Sequence, residues 1–129
     1  MTRHARALLL AAVLIATPAA AHHSFAMYDQ TRPVTLRGTV SHVQWTNPHV
    51  IVTFSGAAPG GASEAWTLEL TSPGNLKRIG WTHSSLPVNQ PVEVVINPLR
   101  DGRKGGALKK ATILGSGQVL TADWLKPGG

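Results

Sequence analysis

Thr71-Ser72-Pro73-Gly74-Asn75-Leu76-Lys77-Arg78-Ile79-Gly80 carries the grammar of a short helix in a sequence that otherwise reads as strands. Ser72 stands where a hydroxyl can accept from a first-turn N–H, and Pro73 stands where a missing N–H costs nothing. Gly80 follows where the chain must leave the helix. The spacing places Leu76 and Ile79 on the core side. On either side the pattern has a period of two. Val34, Leu36, Gly38 and Val40 alternate with Thr35, Arg37 and Thr39, and Val50, Val52 and Phe54 alternate with His49, Ile51 and Thr53. The loop 56–63, rich in Gly, Ala and Pro, leads to a third strand with Trp66, Leu68 and Leu70 inward. Beyond the helix, Val92, Val94 and Ile96 mark a fourth strand and residues 107–114 a fifth. Gly115-Ser116-Gly117 then turns into a short last strand at 118–121.

This order predicts a mostly β fold: a small OB-like barrel of five to six strands with one short helix between strands three and four. A β-sandwich would use the same strands. The glycine in the first strand, which offers a place to bend, and the single helix favour the barrel. Architecture alone assigns no activity.

The N-terminus reads as a secretory signal. Arg3 and Arg6 precede the apolar run 7–16, followed by Thr17-Pro18 and Ala19-Ala20-Ala21. A run of about ten apolar residues is half of the roughly 20 that a spanning helix needs. The expected organisation is therefore a signal peptide over 1–21, an OB-like β-barrel domain over 22–121 and a flexible tail over 122–129. The expected location is periplasmic or secreted, with no transmembrane anchor after processing.

Removing residues 1–21 leaves 108 residues, enough for one core. Of twelve Lys and Arg, Arg3 and Arg6 leave with the signal; ten remain against six acids, a net charge of +4. Much of that charge gathers in Arg100, Arg103, Lys104, Lys109 and Lys110. With no aromatic residues interleaved, the cluster reads as a solvated hairpin tip rather than a nucleic-acid surface. There is no cysteine, so disulfides and thiolate chemistry are excluded.

The histidines carry the chemistry. Cleavage after Ala21 would give His22 both a free amine and an imidazole, with His23 beside it. Cleavage one or two residues earlier would put a histidine third from the amine. Each register yields a nitrogen-rich donor set, which among common divalent ions suits copper(II) best. An ordinary polar start to the mature chain is the competing reading.

A second candidate lies at Trp45-Thr46-Asn47-Pro48-His49. If strands two and three pair through the loop 56–63, antiparallel partners sum to about 118–120, which sets His49 close to Glu69 on the non-core face. Trp45 would flank the pair. A surface His–Glu pair with no ligand is the alternative. His42 and His83 read as ordinary surface residues, and Met27 as a weak soft ligand for reduced copper.

His22-His23-Ser24-Phe25, Gly38-Thr39-Val40, Trp45-Thr46-Asn47-Pro48-His49, Trp66-Thr67-Leu68-Glu69, Ser72-Pro73 with Leu76, and Gly80-Trp81 together resemble a family of small bacterial exported proteins classed as a domain of unknown function. The likeness spans roughly residues 22–120. It implies export and shared motifs at His22, His23, Trp45, Asn47, Pro48, His49, Trp66 and Gly80, but no activity. Asn89-Gln90 departs from the Gly-Asp turn common in such proteins.

No nucleophile elbow, phosphate loop or spaced carboxylate pair supports an enzyme. The expected function is exported metal binding with copper as the cofactor, His22, His23 and His49 as ligands, and Glu69 and Trp45 as possible additions. A non-catalytic module that docks onto another periplasmic protein through Trp45, Trp66 and Trp81 is the alternative.

Overall fold

A computed structural model of the chain describes residues 25–125. Its strands are β1 (Val34–Gln44), β2 (Ile51–Ala57), β3 (Glu64–Glu69), β4 (Pro91–Pro98), β5 (Gly105–Ile113) and β6 (Val119–Thr121). One helix, α1 (Pro73–Arg78), lies between β3 and β4. The sheet runs β3-β2-β1-β4-β5-β6, and a parallel β3–β5 pairing closes the first five strands into a barrel. β6 remains outside the closure, on the far side of β5. The expected OB-like barrel is what forms.

Closure depends on a long first strand that serves two partners. Its early part pairs with β4 and its later part with β2, and a bulge between Val40 and His42 bends it. Gly38 sits in both ladders. A Cβ there would lie 1.9 Å from the Ser55 carbonyl oxygen, so only glycine allows the two backbones to approach this closely.

Period-two alternation directs Leu36, Val40, Val52, Phe54, Leu68, Val92, Val94 and Ile96 into the barrel, where all are essentially solvent-free. Leu76 of α1 and Trp81 join them. The helix starts as its sequence requires: the Ser72 hydroxyl accepts from Asn75 N–H at 3.2 Å. It ends at Gly80, whose φ of 90° is left-handed. There Gly80 N–H donates to Lys77 O and Trp81 N–H to Leu76 O, a Schellman closure that drives Trp81 back onto the core beside Leu76. This closure corrects one expectation. Ile79 caps the helix rather than filling the barrel and is 60% exposed.

A second apolar layer lies outside the barrel, where the two ends of the described chain meet. The 3-10 turn Phe25–Met27 leads to Tyr28, which bridges to Leu99, while Asp29 N–H donates to Pro98 O at 2.8 Å. From the other end, Ala122 N–H donates to Lys109 O and Leu125 is buried. Tyr28, Ala107 and Leu125 form a cluster with Met27, Leu99 and Trp124 against it. Residues 122–125 are thus a packed part of the domain and not the loose tail expected from composition. The proposed signal, His22, His23 and residues 126–129 lie outside the described residues.

Candidate functional site

His49 follows a cis Asn47–Pro48 peptide and precedes β2 by two residues. It does not begin the strand, as the alternation suggested, yet the ladder extends to its neighbour: Val50 N–H donates to Thr71 O and Leu70 N–H to Val50 O. The β2–β3 register pairs Ile51 with Glu69. His49 lies two residues from Ile51 and on the same face, so it is the diagonal neighbour of Glu69, within reach of a long side chain.

The side chains meet as expected. His49 Nδ1 donates to Glu69 Oε1, and both groups are largely shielded from solvent. The Tyr28 hydroxyl donates to the other carboxylate oxygen, Oε2. Trp124 donates from Nε1 to the Glu69 carbonyl at 3.2 Å and lays its ring against the imidazole, with centroids 5.3 Å apart. Trp124 also meets Tyr28 edge-on at 6.2 Å and Phe25 at 6.4 Å. Burial and the adjacent Glu69 carboxylate push the Tyr28 hydroxyl well above its ordinary pKa, so it remains a donor. The carboxylate is held at both oxygens, and its partner imidazole is held through Nδ1 and against the Trp124 ring.

Chemically this is an oriented histidine. A carboxylate on Nδ1 fixes the tautomer and makes Nε2 the nitrogen through which the ring would ligate, as in the carboxylate–histidine pairs that support metals. The geometry casts Glu69 in a positioning role, since both of its oxygens are engaged. Among the described residues, no three His, Asp or Glu side chains gather closely enough to hold a metal ion.

Sequence reasoning missed two members of the site, Tyr28 and Trp124. Trp124 lies in Asp123-Trp124-Leu125, an aromatic–aliphatic pair that stands out in an otherwise polar, glycine-rich ending. Trp45, expected to flank His49, instead packs half-buried against the barrel core. Trp81 is buried and donates to Thr121 O at 2.8 Å, and Trp66 donates to Gly56 O at 3.2 Å. Trp81 is therefore part of the core and not an exposed aromatic. Met27 lines a cavity of about 310 Å³ together with Tyr28 and Glu69. His42 and His83 are exposed and share the rim of a different cavity. In the basic cluster, Arg103 pairs with Asp101, Lys104 with Glu64 and Lys109 with Asp123. Arg100 donates to Ala26 O at 3.0 Å. Lys104 also lies over the Trp66 ring at 5.2 Å.

Among the described residues, no helix is long and apolar enough to cross a membrane. No curated protein and no solved structure matches the chain. The model of one family, described as a family of unknown function (DUF6152), matches residues 10–127, and with nearly the whole chain covered, motifs and barrel together, the protein belongs to that family.

Proposed function

We propose that this protein is a metal-binding protein of the periplasm or cell exterior, copper first, in which the processed N-terminus and His49 share one ion. The observation that carries this reading is the chain of rings Phe25–Trp124–His49. Phe25 follows His22 by three residues, so extended backbone keeps the two within about 11 Å of each other whatever path lies between. Signal cleavage at the expected position would therefore free an amine, with His22 and His23, close to an imidazole already oriented by Glu69. Amine and imidazole nitrogens make a donor set that favours copper(II) over the other common divalent ions. The role is binding, buffering or delivery. No catalytic step is assigned.

The test compares copper(II) binding by the protein beginning at His22 with that of a form carrying Met-Ala ahead of it, each also made as His49→Ala. The reading expects tight binding only when the amine is free and His49 is present. Equal, weak binding by the first two proteins would refute the terminal site. Unchanged binding by His49→Ala would confine the ion to the terminus.

A further inference from the structure

The surface between the helix and the last strand carries a different feature. Between α1 and β6 runs a groove of about 440 Å³ walled by Asn75, Ile79 and Gly80 on one side and Val119 and Thr121 on the other, with Trp124 and Asp123, whose carboxylate is paired with Lys109, at one end. Two of its aliphatic side chains, Ile79 and Val119, are 60% and 56% exposed. Such exposure is a cost that burial of Leu76 and Leu120 beside them does not require.

β6 is the open end of the sheet, and it faces this groove with backbone groups unspent. Ala122 N–H to Lys109 O and Ile113 N–H to Gln118 O fix the alternation of the β5–β6 ladder. Val119 and Thr121 therefore direct their N–H and C=O groups away from β5. Thr121 O accepts from Trp81 Nε1, and among the described residues nothing is bonded to Val119 on that side. An unprotected edge beside apolar side chains is a template for an added strand.

Charge specifies the occupant. Residues 25–125 hold nine Lys and Arg against six acids. All six carboxylates are engaged: Asp29, Glu93, Asp101, Glu64 and Asp123 by Arg32, Arg37, Arg103, Lys104 and Lys109, and Glu69 by His49. Four cations have no carboxylate partner there. Arg100 bonds to a carbonyl, and the other three are Lys77, Arg78 and Lys110. Arg78 is tied to Asn75 on the groove wall at 2.8 Å, with Lys77 beside it, and Lys110 stands across β6 opposite Thr121. Three of the four thus stand on the elements that flank β6, Lys77 and Arg78 on α1 and Lys110 on β5.

We propose that this groove is a docking site for an extended segment of a partner protein that alternates apolar and acidic residues. The segment adds to the edge of β6, seats apolar side chains between Ile79 and Val119, and sets carboxylates against Arg78 and Lys110. Because Trp124 closes the groove and also covers His49, the docked segment lies beside the oriented histidine, but the docking rests on none of the metal chemistry.

The test is selection of a dodecapeptide library on the full processed chain, followed by binding measurements on the enriched peptides. Enriched sequences should alternate apolar and acidic residues. Their affinity should fall roughly tenfold in Arg78→Glu/Lys110→Glu and should be lost in Val119→Pro, with both variants retaining the wild-type melting temperature within a few degrees. Amide exchange at Val119 should slow in the complex. Failure to enrich, enrichment of peptides without acids, or binding that survives both variants overturns the proposal. So does protection of Ile79 and Val119 by phosphatidylglycerol vesicles in place of peptide, or by self-association that Ile79→Asp abolishes.

Discussion

The interior of the barrel and the layer outside it are both apolar, yet they are built by different means. The interior draws on five strands, four of which contribute alternate residues while β5, opposite a bulge, contributes Leu108, Ala111 and Ile113. The outer layer joins Tyr28 near one end of the described chain to Trp124 and Leu125 at the other, across the outside of the barrel, and includes single residues such as Ala107 and Leu99. The first arrangement supplies most of the buried area and hence the stability. The second supplies little area but holds a carboxylate and an imidazole in fixed orientation, which is what a binding site needs.

Substitutions should separate the two regions, and the largest effect belongs to the interior. Phe54→Ala removes a solvent-free ring and is expected to cost about 3–5 kcal/mol in denaturant unfolding, while the proposed copper binding is retained in the folded protein. A loss of affinity in the folded fraction would show that the two regions are not independent. Glu69→Gln should do the reverse: metal affinity falls roughly ten- to a hundredfold because the carboxylate no longer fixes the His49 ring, with a far smaller change in melting temperature. If calorimetric titration gives wild-type affinity, Glu69 does not position the histidine.

Tyr28→Phe leaves Oε2 of Glu69 without its donor and should cost about 1–2 kcal/mol. It also changes the alkaline limb. The folded-state pKa of Tyr28 is raised above its unfolded value of 10.0. Its contribution is therefore complete below pH 10 and declines as the pH rises beyond it. Wild-type unfolding midpoints should drop above pH 10, and the Phe variant should show a shallower fall. The smallest effect is acidic. Hydrogen bonds from the Thr31 hydroxyl and N–H lower Asp29 from 3.8 to about 2. That contribution is present above about pH 4 and is lost as the pH falls toward 2, so Asp29→Asn should flatten the acid-unfolding curve over this interval.

The difference between the regions also explains what could be read beforehand. Alternation is a local signal, so Val50, Val52 and Phe54 or Val92, Val94 and Ile96 reveal their strands without reference to the rest of the chain. Capping is equally local, and Ser72, Pro73 and Gly80 fall at the positions their chemistry demands. Ile79 was misjudged because helical spacing continues past the residue at which the Schellman closure turns the chain. Proximity of His49 to Glu69 was legible because an antiparallel register converts two strand assignments into one pair of neighbours. Trp124 and Tyr28 were not, since no periodicity links residues 96 positions apart in sequence.

From the sequence alone come the strand order, the single helix with both its caps, the closed barrel they imply and the proximity of His49 to Glu69. These follow because each rests on preferences of a few neighbouring residues, or on one register between adjacent strands. Only the tertiary structure decided that the last residues of the described chain are part of the domain, that the ring over His49 is Trp124 rather than Trp45, and that Ile79 and Val119 come to face one groove. Those outcomes depend on where distant segments come to rest once the barrel has closed, and that is set by the shape of the packed surface rather than by any local pattern.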